Sequence, residues 1–258
     1  MPKAKINGVE IYYEMHGDGD PLVFVHHGLG CTKMWEKVLT SFIKRYKVIL
    51  YDRRGFGQSE KGENFIDYYI NEQYNHESVK ELSALLEYLD INDRINIVGQ
   101  CEGGSVGFHF GAHYPDRVKA IAISSTLCYS KIDMPGFCKG KMFSCVEDAQ
   151  SDFQDKLFDW HGRDYAPELY SLFMQMGGAY GTGIFDLRET LNNIECPALV
   201  LYPDRSRLFD VDQAVLMYKS LFLGELAVLP NCGHNTYEEQ PEEYSKIVLS
   251  FFERHRTI

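Results

Sequence analysis

Arg94-Ile95-Asn96-Ile97-Val98-Gly99-Gln100-Cys101-Glu102-Gly103-Gly104 decides the fold. Residues 94–98 are a short apolar run that reads as a buried strand. Ser105 to Tyr114 suits a helix that Pro115 stops. A strand feeding a helix through Gly-x-nucleophile-x-Gly is a nucleophile elbow. The glycines are needed because side chains in so tight a turn would strike neighbouring backbone. The elbow exposes residue 101 at the sheet edge, above a helix N-terminus that favours negative charge. Cys101 is therefore expected to be a nucleophile with a lowered thiol pKa. The plainer alternative is a buried structural cysteine in a Gly-rich turn.

Strand and helix signals alternate along the rest of the chain, which predicts an α/β fold: a mostly parallel sheet with helices on both faces. Lys5 to Met15 reads as two strands broken at Asn7-Gly8, a favoured hairpin dipeptide. Further strands are expected at Pro21–His27, Tyr46–Tyr51, Lys119–Ser124, Ala198–Tyr202 and Glu225–Leu229. Helices are expected at Met34–Arg45, His76–Leu89, Val211–Leu221 and Pro241–Arg254. The second of these carries its apolar residues on one stripe, at Val79, Leu82, Leu85, Leu86 and Leu89. The alternation lapses over 128–191, a stretch rich in aromatic residues and methionine. It is expected to be a helical lid inserted into a core made of 1–127 and 192–258.

At 258 residues and 45% hydrophobic, the chain is long enough for a substantial core. Its net charge of −11, with both signs interspersed, argues against nucleic acid or an anionic membrane as a main partner. No apolar run is long enough for a signal peptide or a membrane span. Seven cysteines without a secretory signal suggest reduced thiols and a cytoplasmic location. They form no paired Cys-x-x-Cys motifs, which argues against a zinc site; no other metal and no organic cofactor is implied.

Over nearly its whole length the chain resembles the α/β-hydrolase superfamily. Val25-His26-His27-Gly28-Leu29-Gly30, followed by Trp35, is similar to that family's oxyanion loop. Asp52-Arg53-Arg54-Gly55-Phe56-Gly57-Gln58-Ser59 resembles its D-x-R-G-x-G-x-S turn. Leu229-Pro230-Asn231-Cys232-Gly233-His234 resembles the segment that bears its catalytic histidine. The resemblance implies that His234 is the base and that the backbone N–H groups of Leu29 and Glu102 form the oxyanion hole. Fixed donors of that kind are worth about 3 kcal/mol each in acyl transfer. His26 and His27 are expected to shape the oxyanion loop, and His109 and His113 to be structural.

Two positions depart from the family pattern. Cys101 replaces the usual serine, as in the G-x-C-x-G-G boxes of dienelactone hydrolases and the much longer polyhydroxyalkanoate synthases. The usual triad aspartate falls on Ser206, with Asp204 two residues before it and Asp210 four after. A thiol ionises far more readily than a hydroxyl, so a Cys–His pair can work with a neutral third member that only orients the imidazole. Ser206 is expected to do so by accepting a hydrogen bond from the second ring nitrogen. The rival explanation is a scaffold that has lost its triad and is kept for ligand binding or signalling. The expected activity is hydrolysis of small, largely apolar esters, thioesters or lactones, with C–C cleavage of a diketone-like substrate as the alternative. The Glu102 side chain is expected to face solvent or to meet a polar group of the substrate.

Overall fold

The computed structural model describes residues 2–69 and 74–256. Its strands are β1 (Lys3–Ile6), β2 (Val9–His16), β3 (Asp20–Val25), β4 (Tyr46–Tyr51), β5 (Ile95–Gln100), β6 (Val118–Ser124), β7 (Ala198–Pro203) and β8 (Gly224–Leu229). Among the described residues they form one eight-stranded sheet in the order β1-β2-β4-β3-β5-β6-β7-β8. The β1/β2 and β2/β4 pairs are antiparallel, and every other pair is parallel. Asn7 and Gly8 both have positive φ, 48° and 88°, as the hairpin turn between β1 and β2 requires. The expected α/β-hydrolase fold is the observed one.

Parallel strands read as unbroken apolar runs because both of their faces are covered, and alternate side chains here enter two separate cores. Val23, Ile49, Ile97, Ile121 and Val200 point to one face. They meet Leu82 and Leu86 of the helix Tyr74–Tyr88, Val106 and Phe110 of Glu102–His113, and Met217 of Asp212–Ser220. Leu22, Phe24, Val48, Val98 and Leu199 point to the other face, against Val38 and Phe42 of Glu36–Phe42 and Val248, Phe251 and Phe252 of Pro241–Arg254. A third cluster joins the segment above the sheet to its loops, through Leu29, Phe56, Leu157, Leu169 and Phe173.

The expected helix Met34–Arg45 is shorter than its apolar pattern suggests. A 3-10 turn occupies Thr32–Trp35, and the α-helix covers only Glu36–Phe42. The chain has to reverse into β4 at Tyr46, and Gly17 and Gly19 pack directly against the backbone of Ile43 and Arg45 at that reversal. Between β6 and β7 lie the helices Met134–Lys141, Ser151–His161, Ala166–Met176 and Arg188–Leu191. A bridge between Tyr129 and Asp186 ties the base of this excursion together.

From β3 the chain passes outward to β4 and then returns to β5 on the opposite side of β3. Ligands of open parallel sheets bind where strand order reverses in this way, beyond the carboxyl ends of the strands. Leu29 follows β3 and Cys101 follows β5, so both lie at that crevice.

Candidate active site

The elbow is strained. Cys101 has φ 54° and ψ −116°, a backbone state that costs a non-glycine residue about 1–3 kcal/mol. Its N–H donates to Ser124 O at 2.8 Å, and Thr126 Oγ1 donates to its carbonyl at 3.0 Å. A Cβ at Gly103 would strike the backbone of Val25, so only glycine lets the helix start so close to β3.

His234 sits on the loop after β8, partly exposed. Gln100 Nε2 and Ser125 Oγ hold its carbonyl at 2.8 and 2.7 Å, which fixes the loop to the carboxyl ends of β5 and β6. Its ring packs against Phe209, and its Nδ1 lies 3.1 Å from Ser206 Oγ. Among the described residues no carboxylate is hydrogen-bonded to the ring. Asp204 instead accepts from the Cys232 amide at 3.1 Å, and Asp210 accepts from the Asp212 amide at 3.0 Å. Desolvation without a compensating charge lowers the His234 pKa to about 4.

The hydrogen-bond roles at Ser206 differ from the expected ones. The amides of Leu208 and Phe209 both donate to Oγ, each at 3.2 Å. A hydroxyl has two acceptor sites and one proton. With both acceptor sites taken, the O–H is directed to His234 Nδ1, and the imidazole proton rests on Nε2. Ser206 therefore donates to the histidine where the sequence led us to expect it to accept.

The loop after β3 is held from three sides. The carbonyl of His27 accepts from Gly30 N at 3.0 Å, Arg53 Nη2 at 3.2 Å and His26 Nδ1 at 2.7 Å. His26 is buried, and its Nε2 accepts from Arg53 N at 3.0 Å, which puts the ring proton on Nδ1. His161, from the helix Ser151–His161, accepts from Gly57 N and donates to Leu29 O at 2.9 Å. The Leu29 N–H is directed to Nδ1 of His27 at 3.2 Å. The Glu102 N–H faces the Cys101 sulfur.

Two further expectations need correction. The Glu102 side chain does not face solvent: it is fully buried and pairs with buried Arg53 at 3.2 Å. Nor is the Cys101 thiol acidic at rest. Burial pushes its pKa up to about 12, outweighing the Tyr180 hydrogen bond, the Glu102 N–H and the Arg53 charge. Its side-chain hydrogen-bond partner is Tyr180 Oη at 3.5 Å; among the described residues no hydrogen bond joins the thiol to His234. Tyr180, Arg53 and His161 were not singled out from the sequence as site residues. The Gly177-Gly178 pair within residues 128–191 was a legible signal for Tyr180, and the doubled arginine in Asp52-Arg53-Arg54 was one for Arg53. Nothing local marks His161.

Cys101, Leu29, His27 and His234 line one cavity of about 330 Å³, roofed by Phe153, Leu157, Trp160 and Phe173. Lys156 and Asp152 also line it, and Lys156 is ion-paired with Glu238. No group of three or more potential metal ligands occurs among the described residues. No helix among them is long and apolar enough to cross a membrane.

Comparison with known proteins agrees with this fold. The chain is 25% identical to the 2-hydroxy-6-oxo-6-(2'-aminophenyl)hexa-2,4-dienoic acid hydrolase of Metapseudomonas resinovorans, covering 97% of this chain and 90% of that one. A variant of the meta-cleavage product hydrolase CumD from Pseudomonas fluorescens IP01 superposes with a TM-score of 0.82 at 18% identity, over 98% of both chains. The enol-lactonase of Burkholderia xenovorans LB400 superposes with a TM-score of 0.77 at 19% identity, over 97% and 99% of the two chains. The family model for the α/β hydrolase fold matches residues 20–241, most of the chain, and the protein belongs to that family.

Proposed function

We propose that the protein is a thiol-dependent hydrolase of small, largely apolar esters, thioesters or lactones, with Cys101 as nucleophile, His234 as base and Ser206 as third member. The observation that carries this reading is the convergence of Cys101, His234 and the Leu29 loop on one cavity with a mainly apolar roof. The segment 128–191 acts as its lid. Seven free cysteines suit a reducing, cytoplasmic setting.

In this mechanism His234 Nε2 takes the thiol proton and Sγ attacks the carbonyl carbon. For Nε2 to be vacant, the imidazole must first hold its proton on Nδ1, with the Ser206 hydroxyl turned to accept it. The Leu29 N–H leaves His27 Nδ1 and, with the Glu102 N–H, binds the oxyanion. Collapse expels the alcohol or thiol, which takes the proton from the imidazolium. Water then attacks the acyl-enzyme: His234 removes one of its protons, the acid departs, and that proton returns to the Cys101 sulfur. Once Nε2 is vacant, a thiol gives up its proton to it more readily than a serine hydroxyl would.

A second reading, C–C cleavage of a diketone-like substrate, draws support from the likeness to the dienoic acid hydrolase. A panel of chromogenic esters, thioesters and lactones, with a diketone arm, separates the two. Turnover of the first group that falls at least a thousandfold in Cys101→Ala supports the thiol hydrolase. Turnover within a few-fold of wild type in that variant overturns it.

A further inference from the structure

The lid brings one polar group to the reacting sulfur. Tyr180 follows the helix Ala166–Met176 in a turn whose first residues, Gly177 and Gly178, have φ 70° and 62°. A Cβ on Gly178 would collide with the Glu102 carboxylate, and one on Gly177 with Met134. Only glycines let this turn descend onto the elbow. The Tyr180 ring is then fixed edge-on against Phe185 and Phe209, with centroids 4.7 and 6.1 Å away. Phe209 is also the ring that packs on His234.

Among the described residues the phenol oxygen has two hydrogen-bond partners. Leu127 N–H donates to it at 3.5 Å, and Cys101 Sγ lies at 3.5 Å. When the sulfur has lost its proton it can only accept, so the phenol O–H must donate to it, and hydrogen bonds to charged acceptors are the stronger ones. We propose that Tyr180 is a catalytic residue whose O–H, delivered by the Gly177–Gly178 turn of the lid, stabilises the Cys101 thiolate. The assignment rests on Cys101 being the nucleophile. It gives the lid a chemical role besides covering the cavity: the thiolate has the phenol as a donor, beside the Glu102 N–H, only while the turn is seated on Glu102. Tyr180 gives up no proton; the thiol proton goes to His234.

Alkylation by iodoacetamide tests this without an acyl substrate or an oxyanion hole. The rate at Cys101 is followed at pH 9 by peptide mass spectrometry in wild type and Tyr180→Phe. Removing one oxygen keeps the ring packing. Each unit of thiol pKa is a tenfold change in thiolate, partly returned by greater nucleophilicity. Tyr180→Phe should therefore be slower by about threefold to tenfold. Gly178→Ala should be slowed similarly, and the double variant no further than Tyr180→Phe alone. A Tyr180→Phe rate within twofold of wild type, a faster rate, or an unreactive wild-type Cys101 would overturn the proposal. Additive slowing in the double variant would overturn delivery by the turn. If Tyr180→Phe is slowed as expected but no ester, thioester or lactone is turned over, the hydrolase reading fails and the Tyr180 assignment stands.

Discussion

The hydroxyl of Ser206 lies 3.1 Å from Nδ1 of His234 while accepting from the amides of Leu208 and Phe209 at 3.2 Å each. One side chain thus closes a turn and sets the tautomer of the imidazole, and the two tasks conflict. Closing the turn uses both acceptor sites, which leaves a donor facing a ring nitrogen that a base mechanism needs protonated.

Ser206→Asp removes that conflict, because a carboxylate has no proton to give and enough lone pairs for both amides and an Nδ1–H. A charged hydrogen bond exceeds a neutral one by about 1 kcal/mol. We expect kcat/KM on the best ester to rise roughly fivefold at pH 7. Ser206→Ala should lose the two amide bonds and about 1–2 kcal/mol of stability, read by urea denaturation. A tenfold fall in kcat/KM for Ser206→Asp would contradict the tautomer assignment.

The pH profile should lack the usual imidazole limb. His234 is held near pKa 4 by desolvation, so the ring stays neutral down to about that pH. In wild type, log kcat/KM should show no inflection between pH 5.5 and 7.5 that His234→Gln removes. In Ser206→Asp the new carboxylate favours the imidazolium, and an inflection should move up toward neutral pH. An imidazole inflection near 6.5 in wild type would show that His234 is solvated or charge-paired.

Stability should fall in acid well before the carboxylates with ordinary pKa values titrate. Burial lowers the pKa of His26, His27, His109, His161 and His234 below 6.5. Between pH 6.5 and about 4 the unfolded chain therefore binds more protons at these five, so stability is lost as pH falls. Asp52 and Glu81, raised to about 6 and about 7 by burial, act in the opposite sense over the same range. Five against two leaves a net loss. A loss of about 2 kcal/mol corresponds to roughly 4–8 °C in Tm, measurable by calorimetry at pH 7 and pH 4.5. A flat or rising Tm toward pH 4.5 would contradict this balance.

Most of the fold was legible because its signals are local. The strand-sized apolar runs, the Asn7-Gly8 turn and the stripe on Tyr74–Tyr88 each follow from nearby residues alone. Cys101, Leu29 and His234 are proposed in the same way, each on a short motif. Depth was not legible. Whether residue 102 faces water depends on Gly28 and Gly178, both remote in sequence, closing over its carboxylate. The thiol pKa was misjudged for the same reason. A helix N-terminus can be read from sequence, but the desolvation that outweighs it comes from packing. Ser206 was found by its position, yet its donor role depends on two amides that a linear pattern does not reveal.

The buried Arg53–Glu102 pair should tolerate joint replacement better than single loss. Removing one partner leaves an uncompensated buried charge, a loss of about 3–5 kcal/mol, whereas an apolar pair can be nearly neutral. Arg53→Met and Glu102→Leu should each lower stability by roughly that amount, and Arg53→Met/Glu102→Leu should recover most of it. Urea denaturation of the three variants checks this. Single variants within about 1 kcal/mol of wild type would show that the pair is not held as a buried ion pair.

The most direct test of the account is to trap the covalent intermediate. Wild-type protein mixed with a good ester or thioester and quenched in acid within the first turnovers should gain the mass of one acyl group, carried on the peptide that contains Cys101. The adduct should accumulate further in His234→Ala, which can be acylated slowly but cannot activate water, and should be absent from Cys101→Ala. Turnover with no adduct on Cys101, or an adduct on another residue that survives in Cys101→Ala, would contradict the account.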